Sequence, residues 1–432
     1  LHAAVLAPSI EAIDDRFGDD PVLRGRLLRS TAETLVRLGL FPEAEDPSVR
    51  ALSLLRASLG DDDPRTIEAM HARATVIFVR GDVETALPLY REAMERGERV
   101  LGPDDETTLA ATAAVGDLLL RRGDVEASEP PTRRALAGRR RTLGESHPDT
   151  LESARNLAEV LRNLGRLDEA VDRYRDALAI AERVHGPDHL YALMMVNNIG
   201  TILVDTEGIP AAIPYFRRAM EGCRRSFGDG HPNTLATMHN LGSHLRAEEV
   251  GRYDEGARYL AAALEGKRSV FGERHPSTRN SRRELALALD LAGRPAEAIP
   301  HRRTELADAL ELDGPEARAT AYATEDLARS LFESGAVEAA LPVQRDALAR
   351  AVAAFGPASR DAARAHARLG RVLLARGDFG EAETHLLAAH VIRAETDGPG
   401  GEETLAVVER TIELYDAWAD AEPGSGHAEA AS

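Results

Sequence analysis

Apolar residues fall at helical spacing along nearly the whole chain, in blocks of about four turns that glycine interrupts. Leu157, Val160, Leu161 and Leu164 form one such stripe, on a block from about Pro148 to Leu164. A second block follows from about Asp168 to Val184. Recurrence at three and four residues predicts amphipathic helices that each turn one face to a core. Purely apolar runs stay short, as in Val76-Ile77-Phe78-Val79. That is far below the roughly 20 residues of a membrane-spanning helix.

The interruptions are phased. Gly18, Gly60, Gly102, Gly144, Gly186 and Gly228 stand 42 residues apart; Gly272 follows after 44, and Gly314, Gly356 and Gly398 resume at 42. The residues after them read alike, as in Gly60-Asp61-Asp62-Asp63-Pro64-Arg65-Thr66, Gly144-Glu145-Ser146-His147-Pro148-Asp149-Thr150 and Gly228-Asp229-Gly230-His231-Pro232-Asn233-Thr234. Glycine after a helical run predicts a left-handed C-cap. Proline four residues later suits the first position of the next helix, where its missing N–H is not needed. Asp20, Asp63 and Asp105 are good N-caps, and His147, His231 and His275 are weaker ones in the same place. A second break at Gly39, Gly81, Gly123, Gly165, Gly251, Gly293, Gly335 and Gly377 splits each repeat into a helix A and a helix B.

Two columns of small residues run through this frame. On helix A they are Ala32, Ala74, Gly116, Ala158, Gly200, Gly242, Ala286, Ala328 and Gly370. Early in helix B they are Ala44, Ala86, Ser128, Ala170, Ala212, Gly256, Ala298, Ala340 and Ala382. Small residues at fixed phase on successive helices let the backbones approach closely, as stacked helical hairpins require. This pattern resembles the tetratricopeptide repeat, which couples Leu-Gly or Leu-Ala on helix A to Ala on helix B. The 42-residue period narrows the resemblance to the kinesin light chain-like subclass. Asn156-Leu157-Ala158, Gly165-Arg166-Leu167-Asp168-Glu169-Ala170 and Tyr174-Arg175-Asp176-Ala177-Leu178 match it. The resemblance implies an all-α, right-handed superhelical solenoid of antiparallel helix pairs that acts by protein–protein interaction.

Nine full repeats are expected over residues 18–397, starting at 18, 60, 102, 144, 186, 228, 272, 314 and 356. Residues 1–17 read as helix B of a preceding half-repeat, 398–420 as a C-terminal capping helix, and 421–432 as a disordered tail. In the capping helix Ile412 breaks the small column, because no further repeat packs there. The two extra residues of repeat six fall around Ala247-Glu248-Glu249-Val250 and should lengthen a turn without disturbing the stack. Pro88, Pro130, Pro214, Pro300 and Pro342 share one phase in helix B, where each removes at most one hydrogen bond.

Composition narrows the function. The 432 residues carry 53 Lys+Arg against 72 Asp+Glu, a formal charge of −19, and aromatics make up only 4%. An acidic chain poor in aromatics is no candidate for nucleic acid, which calls for basic patches and stacking platforms. The single cysteine, Cys223, excludes an internal disulfide framework and a thiolate metal cluster; it reads as a small buried residue. Asp378-Phe379-Gly380 spells a kinase metal-binding tripeptide but occupies a repeat turn, and the only lysine is Lys267. His239 and His244, like His385 and His390, are five apart, off the four-residue spacing of helical metal pairs. No metal, cofactor or enzymatic activity is expected. A cytoplasmic location is, or a membrane tether through a segment preceding Leu1.

Helix A lines the groove in the family it resembles, with peptide contacts just before the Leu-Ala pair and a turn on either side. Those positions read Arg29, Glu33, Glu68, His71, Thr75 and Asp117 in the first three repeats. In repeats four to seven they read Arg155, Asn156, Glu159, Arg162, Asn197, Asn198, Thr201, His239, Asn240, Ser243, Arg246 and Arg283. The resemblance assigns Asn156, Asn198 and Asn240 to the backbone of a bound peptide. Asparagine offers donor and acceptor to an extended chain, and arginine pairs a carboxylate. An acidic extended peptide or partner protein is therefore the expected ligand. The opening Ile13-Asp14-Asp15-Arg16-Phe17-Gly18 also resembles arrays behind bacterial receptor-type serine/threonine kinases. A regulatory segment of a larger signalling enzyme, with its kinase, nucleotide-binding switch or peptidase-like part upstream in the same polypeptide, is the alternative. Self-association through exposed ends is a third.

Overall fold

The computed structural model describes residue 10 and residues 12–423, and every regular element among them is helical. The chain divides into two compact units, Leu1–Gly222 and Cys223–Ser432. Residues 12–17 form a helical turn, with Asp14 pairing to Arg24 at 3.3 Å. The rest of the expected first half-repeat, and all but the start of the expected tail, lie outside the described residues. The first unit then contains α1 (Pro21–Arg37), α2 (Glu45–Leu59), α3 (Pro64–Val79), α4 (Val83–Val100), α5 (Glu106–Arg122), α6 (Val125–Thr142), α7 (Pro148–Asn163), α8 (Leu167–His185) and α9 (Leu190–Thr206). The division falls within α10 (Ile209–Phe227). The second unit continues with α11 (Pro232–Leu245), α12 (Tyr253–Phe271), α13 (Pro276–Leu291), α14 (Pro295–Leu312), α15 (Arg318–Glu333), α16 (Val337–Phe355), α17 (Arg360–Arg376), α18 (Phe379–Asp397) and α19 (Glu402–Ala421). Odd-numbered helices are the A helices and even-numbered ones the B helices.

The turns form as the sequence requires, with two differences. Asp63 accepts the Arg65 N–H at 2.9 Å, and the His147, His231 and His275 Nδ1 atoms accept the N–H two residues on at 3.1–3.2 Å. His189 caps α9 in the same way. The marker glycines from Gly60 to Gly398 take positive φ, and Gly60, Gly186, Gly272, Gly356 and Gly398 lie outside the left-handed helical region. Gly60 sits at φ 82°, ψ 173° and Gly186 at 93°, 160°, an extended region that only glycine enters cheaply. Repeat five, without a glycine at the expected mid-repeat position, breaks one residue later at Gly208.

Both small columns are buried, among them Ala158, Ala170, Ala286 and Ala298. A Cβ on Gly116 would stand 2.3 Å from the Thr132 hydroxyl oxygen, so the α5–α6 contact has no room for one. Around these contacts the cores are aliphatic. Ala74, Ile77, Ala86, Leu87, Val115, Leu118 and Leu119 form one with Tyr90 in the first unit. Ala257, Leu260, Leu264, Leu285, Ala286 and Leu289 form one in the second. The long turn of repeat six closes on itself through Val250 N–H to Ala247 C=O at 2.9 Å and Arg252 N–H to Leu245 C=O at 3.0 Å. Gly242 and Gly256, on either side of it, are both buried. At the end of the array, α19 buries Val407 and Leu414 and stacks Trp418 on Phe379, while Ile412 stays 40% exposed. The prolines lie inside continuous helices.

Candidate peptide-binding groove

Helix α7 buries Leu157, Ala158 and Leu161 and leaves Arg155, Asn156, Glu159 and Arg162 half-exposed on its other side. Glu159 is the hub of a network there. It accepts from Arg162 at 2.6 Å and from the Tyr174 hydroxyl, on α8, at 3.3 Å. The Asn198 side-chain amide on α9 donates to that hydroxyl at 3.2 Å. Burial works to raise the Glu159 carboxyl, but Arg162, with Tyr174 and Asn163, holds it below its ordinary value. The same burial pushes the Tyr174 phenol up. Asn197 reaches Asn198 at 3.5 Å, and Thr201 turns its hydroxyl back to the Asn197 carbonyl at 3.2 Å. Arg155 has only Glu152, at 4.0 Å, and Asn156 makes no hydrogen bond to another described residue. In repeat two, Tyr90 repeats the pattern by donating to Thr75 at 2.8 Å, with the His71 ring against it at 5.4 Å. Burial, reinforced by Arg139 and Arg29, pushes His71 down to about 4.

In the second unit, His239 and Asn240 sit half-buried on α11. His239 Nδ1 meets the Ser281 hydroxyl at 2.9 Å, and its Nε2 lies 3.2 Å from the Asn280 amide. Lys267, 4% exposed, donates to the same serine at 2.9 Å. Burial, then the Lys267 charge, pushes His239 down to about 4; burial lowers Lys267 to about 8. Arg283 donates to Asn280 at 2.9 Å. Arg246 forks onto the Glu284 carboxylate, its Nε at 2.9 Å.

The structure thus links Arg162 with Asn198, and His239 with Arg283 through Asn280. It leaves Arg155 and Asn156 unlinked to the network although they share its face. The guanidinium charges of Arg162 and Arg246 are matched by Glu159 and Glu284, so the face is less basic than a count of its arginines implies. Sequence reasoning missed Tyr174, Lys267, Ser281 and Glu284. The frame held a signal for the last: extended past repeat six, the asparagine column Asn156, Asn198, Asn240 continues as Glu284, Asp326 and Arg368. Among the described residues, no group of three His, Cys, Asp or Glu is placed to hold a metal ion, and no helix is long and apolar enough to cross a membrane.

Models of the tetratricopeptide repeat match residues 68–141, 150–191, 190–249, 247–311, 320–361 and 363–388. The chain belongs to the tetratricopeptide repeat family. It is a repeat array of the class that serves as a protein–protein interaction scaffold. Its fold is similar to that of a Rap protein complexed with competence and sporulation factor, at 13% identity over 92% of this chain and 99% of that one, with a TM-score of 0.50. A signal transduction ATPase with a tetratricopeptide repeat sensor from Pyrococcus horikoshii is similar at 16% identity over 86% of this chain and 54% of that one, with a TM-score of 0.56. So are the TPR-like repeats of a putative kinesin light chain from Podosopora anserina, at 21% identity over 48% and 97%, with a TM-score of 0.42. No curated protein sequence matches the chain.

Proposed function

We propose that this protein is a non-catalytic scaffold that binds an extended, acidic peptide segment along its A helices, on the α7–α9 face of the first unit; the α11–α13 face of the second unit is, taken by itself, a further face of the same kind. The observation that carries this is the pair Asn156 and Asn198, 42 residues apart, one amide uncommitted and the other donating to a tyrosine hydroxyl and accepting at 3.5 Å from the adjacent Asn197. An extended peptide presents alternating N–H and C=O groups, and a side-chain amide pairs with both. Arg155 and Arg283 supply the acidic preference, because Arg155 pairs only with Glu152, at 4.0 Å, and Arg283 forms no ion pair with a described residue. The Rap protein is known in complex with a factor, and the Pyrococcus horikoshii repeats are described as a sensor. The face proposed here would serve such a role in a longer signalling protein equally well.

A peptide array tests the reading. The full chain should enrich acidic, extended segments, and Arg155→Glu should reverse that charge preference. An array on which charge has no effect on retention contradicts it.

A further inference from the structure

Three successive A helices of the second unit, α15, α17 and α19, enclose a cavity of about 340 Å³, with Gln344 of α16 and Arg393 of α18 completing its wall. Six arginines line it: Arg329 from α15, Arg364, Arg368 and Arg371 from α17, Arg393, and Arg410 from α19. Its only carboxylates are Glu333 and Glu403, both exposed to solvent.

With the exception of exposed Glu403, 3.8 Å from Arg393, the acids that orient these arginines do not line the cavity. Glu325, buried, takes the Arg364 fork at 2.8 and 2.9 Å and Arg368 at 3.0 Å. Asp326 holds Arg329 at 3.1 Å, and Asp397 holds Arg393 at 2.7 Å. The guanidinium groups are therefore braced mainly from outside the space they border. Arg371 and Arg410 form no ion pair with any described residue; Arg371 lies over the Phe332 ring at 5.3 Å. Crowding has a cost. Arg368 is held below its ordinary value by burial, with Glu325 opposing and the neighbouring Arg329 and Arg364 adding to it. In a chain of formal charge −19, so many guanidinium groups on one cavity have an anion as their natural complement.

We propose that this cavity binds a phosphate monoester. Guanidinium forks match the oxygens of phosphate and of carboxylate alike, so geometry does not separate the two. Charge does. Arg371 and Arg410 are two guanidinium groups without an ion-pair partner among the described residues, and a phosphate monoester of about −1.5 to −2 at neutral pH can pair with both where a single carboxylate brings one charge. The volume lies at the small end of ligand clefts, roughly 300–1,000 Å³. Phe332, Val372 and Val407 give the ester's carbon end an apolar wall. The site stands on repeats eight and nine and the capping helix, so it does not depend on the asparagine face.

The test is isothermal titration of the full chain at fixed ionic strength with three probes: inorganic phosphate, O-phosphoserine, and a Gly/Ser decapeptide carrying one phosphoserine. The unphosphorylated decapeptide is the reference. Phosphorylated probes should bind at least tenfold more tightly than the reference, and Arg371→Ala/Arg410→Ala should lose at least tenfold. Neither arginine braces a carboxylate, so this variant leaves no buried acid unpaired; Arg318→Ala, whose guanidinium lies over Phe355 outside the cavity, is the matched control and should bind as wild type. A phosphopeptide that outbinds O-phosphoserine assigns the phosphate to a protein segment, and equal affinities assign it to a free small molecule; both support the site. Absence of binding by every phosphorylated probe, or full binding by the double variant, overturns it.

Discussion

Gly242 on α11 and Gly256 on α12 face each other so closely that a Cβ on Gly242 would stand 2.9 Å from the Gly256 carbonyl oxygen, and a Cβ on Gly256 2.8 Å from that of Gly242. Only in repeat six are both small columns glycine. Adding a methyl group inside a helix ordinarily gains about 1 kcal/mol over glycine. Here the obstructing atoms are backbone, which cannot rotate away. Gly256→Ala should therefore destabilise by about 1–3 kcal/mol. At Gly380 an added Cβ would meet only the Trp418 ring, at 3.9 Å, so Gly380→Ala should stabilise by up to about 1 kcal/mol. Thermal unfolding of the two variants checks the opposite signs.

Arg302 fills a position held by Tyr90, Tyr174, Phe216 and Leu260 in other repeats, yet it is only 1% exposed. Asp290, itself buried, pairs with it at 3.0 Å, as does Glu305. Arg302→Leu alone leaves Asp290 as a buried acid short of its main partner and should cost about 3–5 kcal/mol. Adding Asp290→Leu should recover most of that loss, because the frame already tolerates apolar residues at both positions. Urea denaturation of the single and double variants gives the comparison.

His71 and His239 are both held near 4 rather than their ordinary value of 6.5, burial being the main cause. As pH falls, the unfolded chain takes up these protons first. The stability from the neutral rings is thus complete above about pH 6.5 and is lost progressively down to about pH 4. Half-exposure of the rings limits the loss to the order of 1–2 kcal/mol each. Replacement by asparagine, which stands at the equivalent position as Asn197, removes this titration. Denaturation at pH 7.5 and 4.5 should show a smaller stability difference for His71→Asn/His239→Asn than for the wild type.

Much of the fold could be read from the 42-residue frame, since a period fixes which residues share a helix face. Ala158 and Ala170 are buried where the frame put them, and His147 caps α7 as expected. The extended ψ of Gly60 was not legible, because positive φ alone does not separate two glycine conformations. Nor were the pairings of long side chains between repeats. Arg246 reaches Glu284 across 38 residues, a contact set by rotamers and side-chain reach rather than by phase. The arginines of α15 and α17 were within the frame's reach. They escaped notice because the asparagine column that drew attention to the middle repeats changes to acids and then to arginine beyond them.

The central claim is that half-buried amides on successive A helices hold a peptide backbone. Fluorescence anisotropy with an array-selected acidic peptide, comparing wild type with Asn156→Ala/Asn198→Ala, tests it most directly. Neither amide fixes the core, so melting should be nearly unchanged while affinity falls at least tenfold. Affinity within twofold of wild type for a folded double variant would contradict the account.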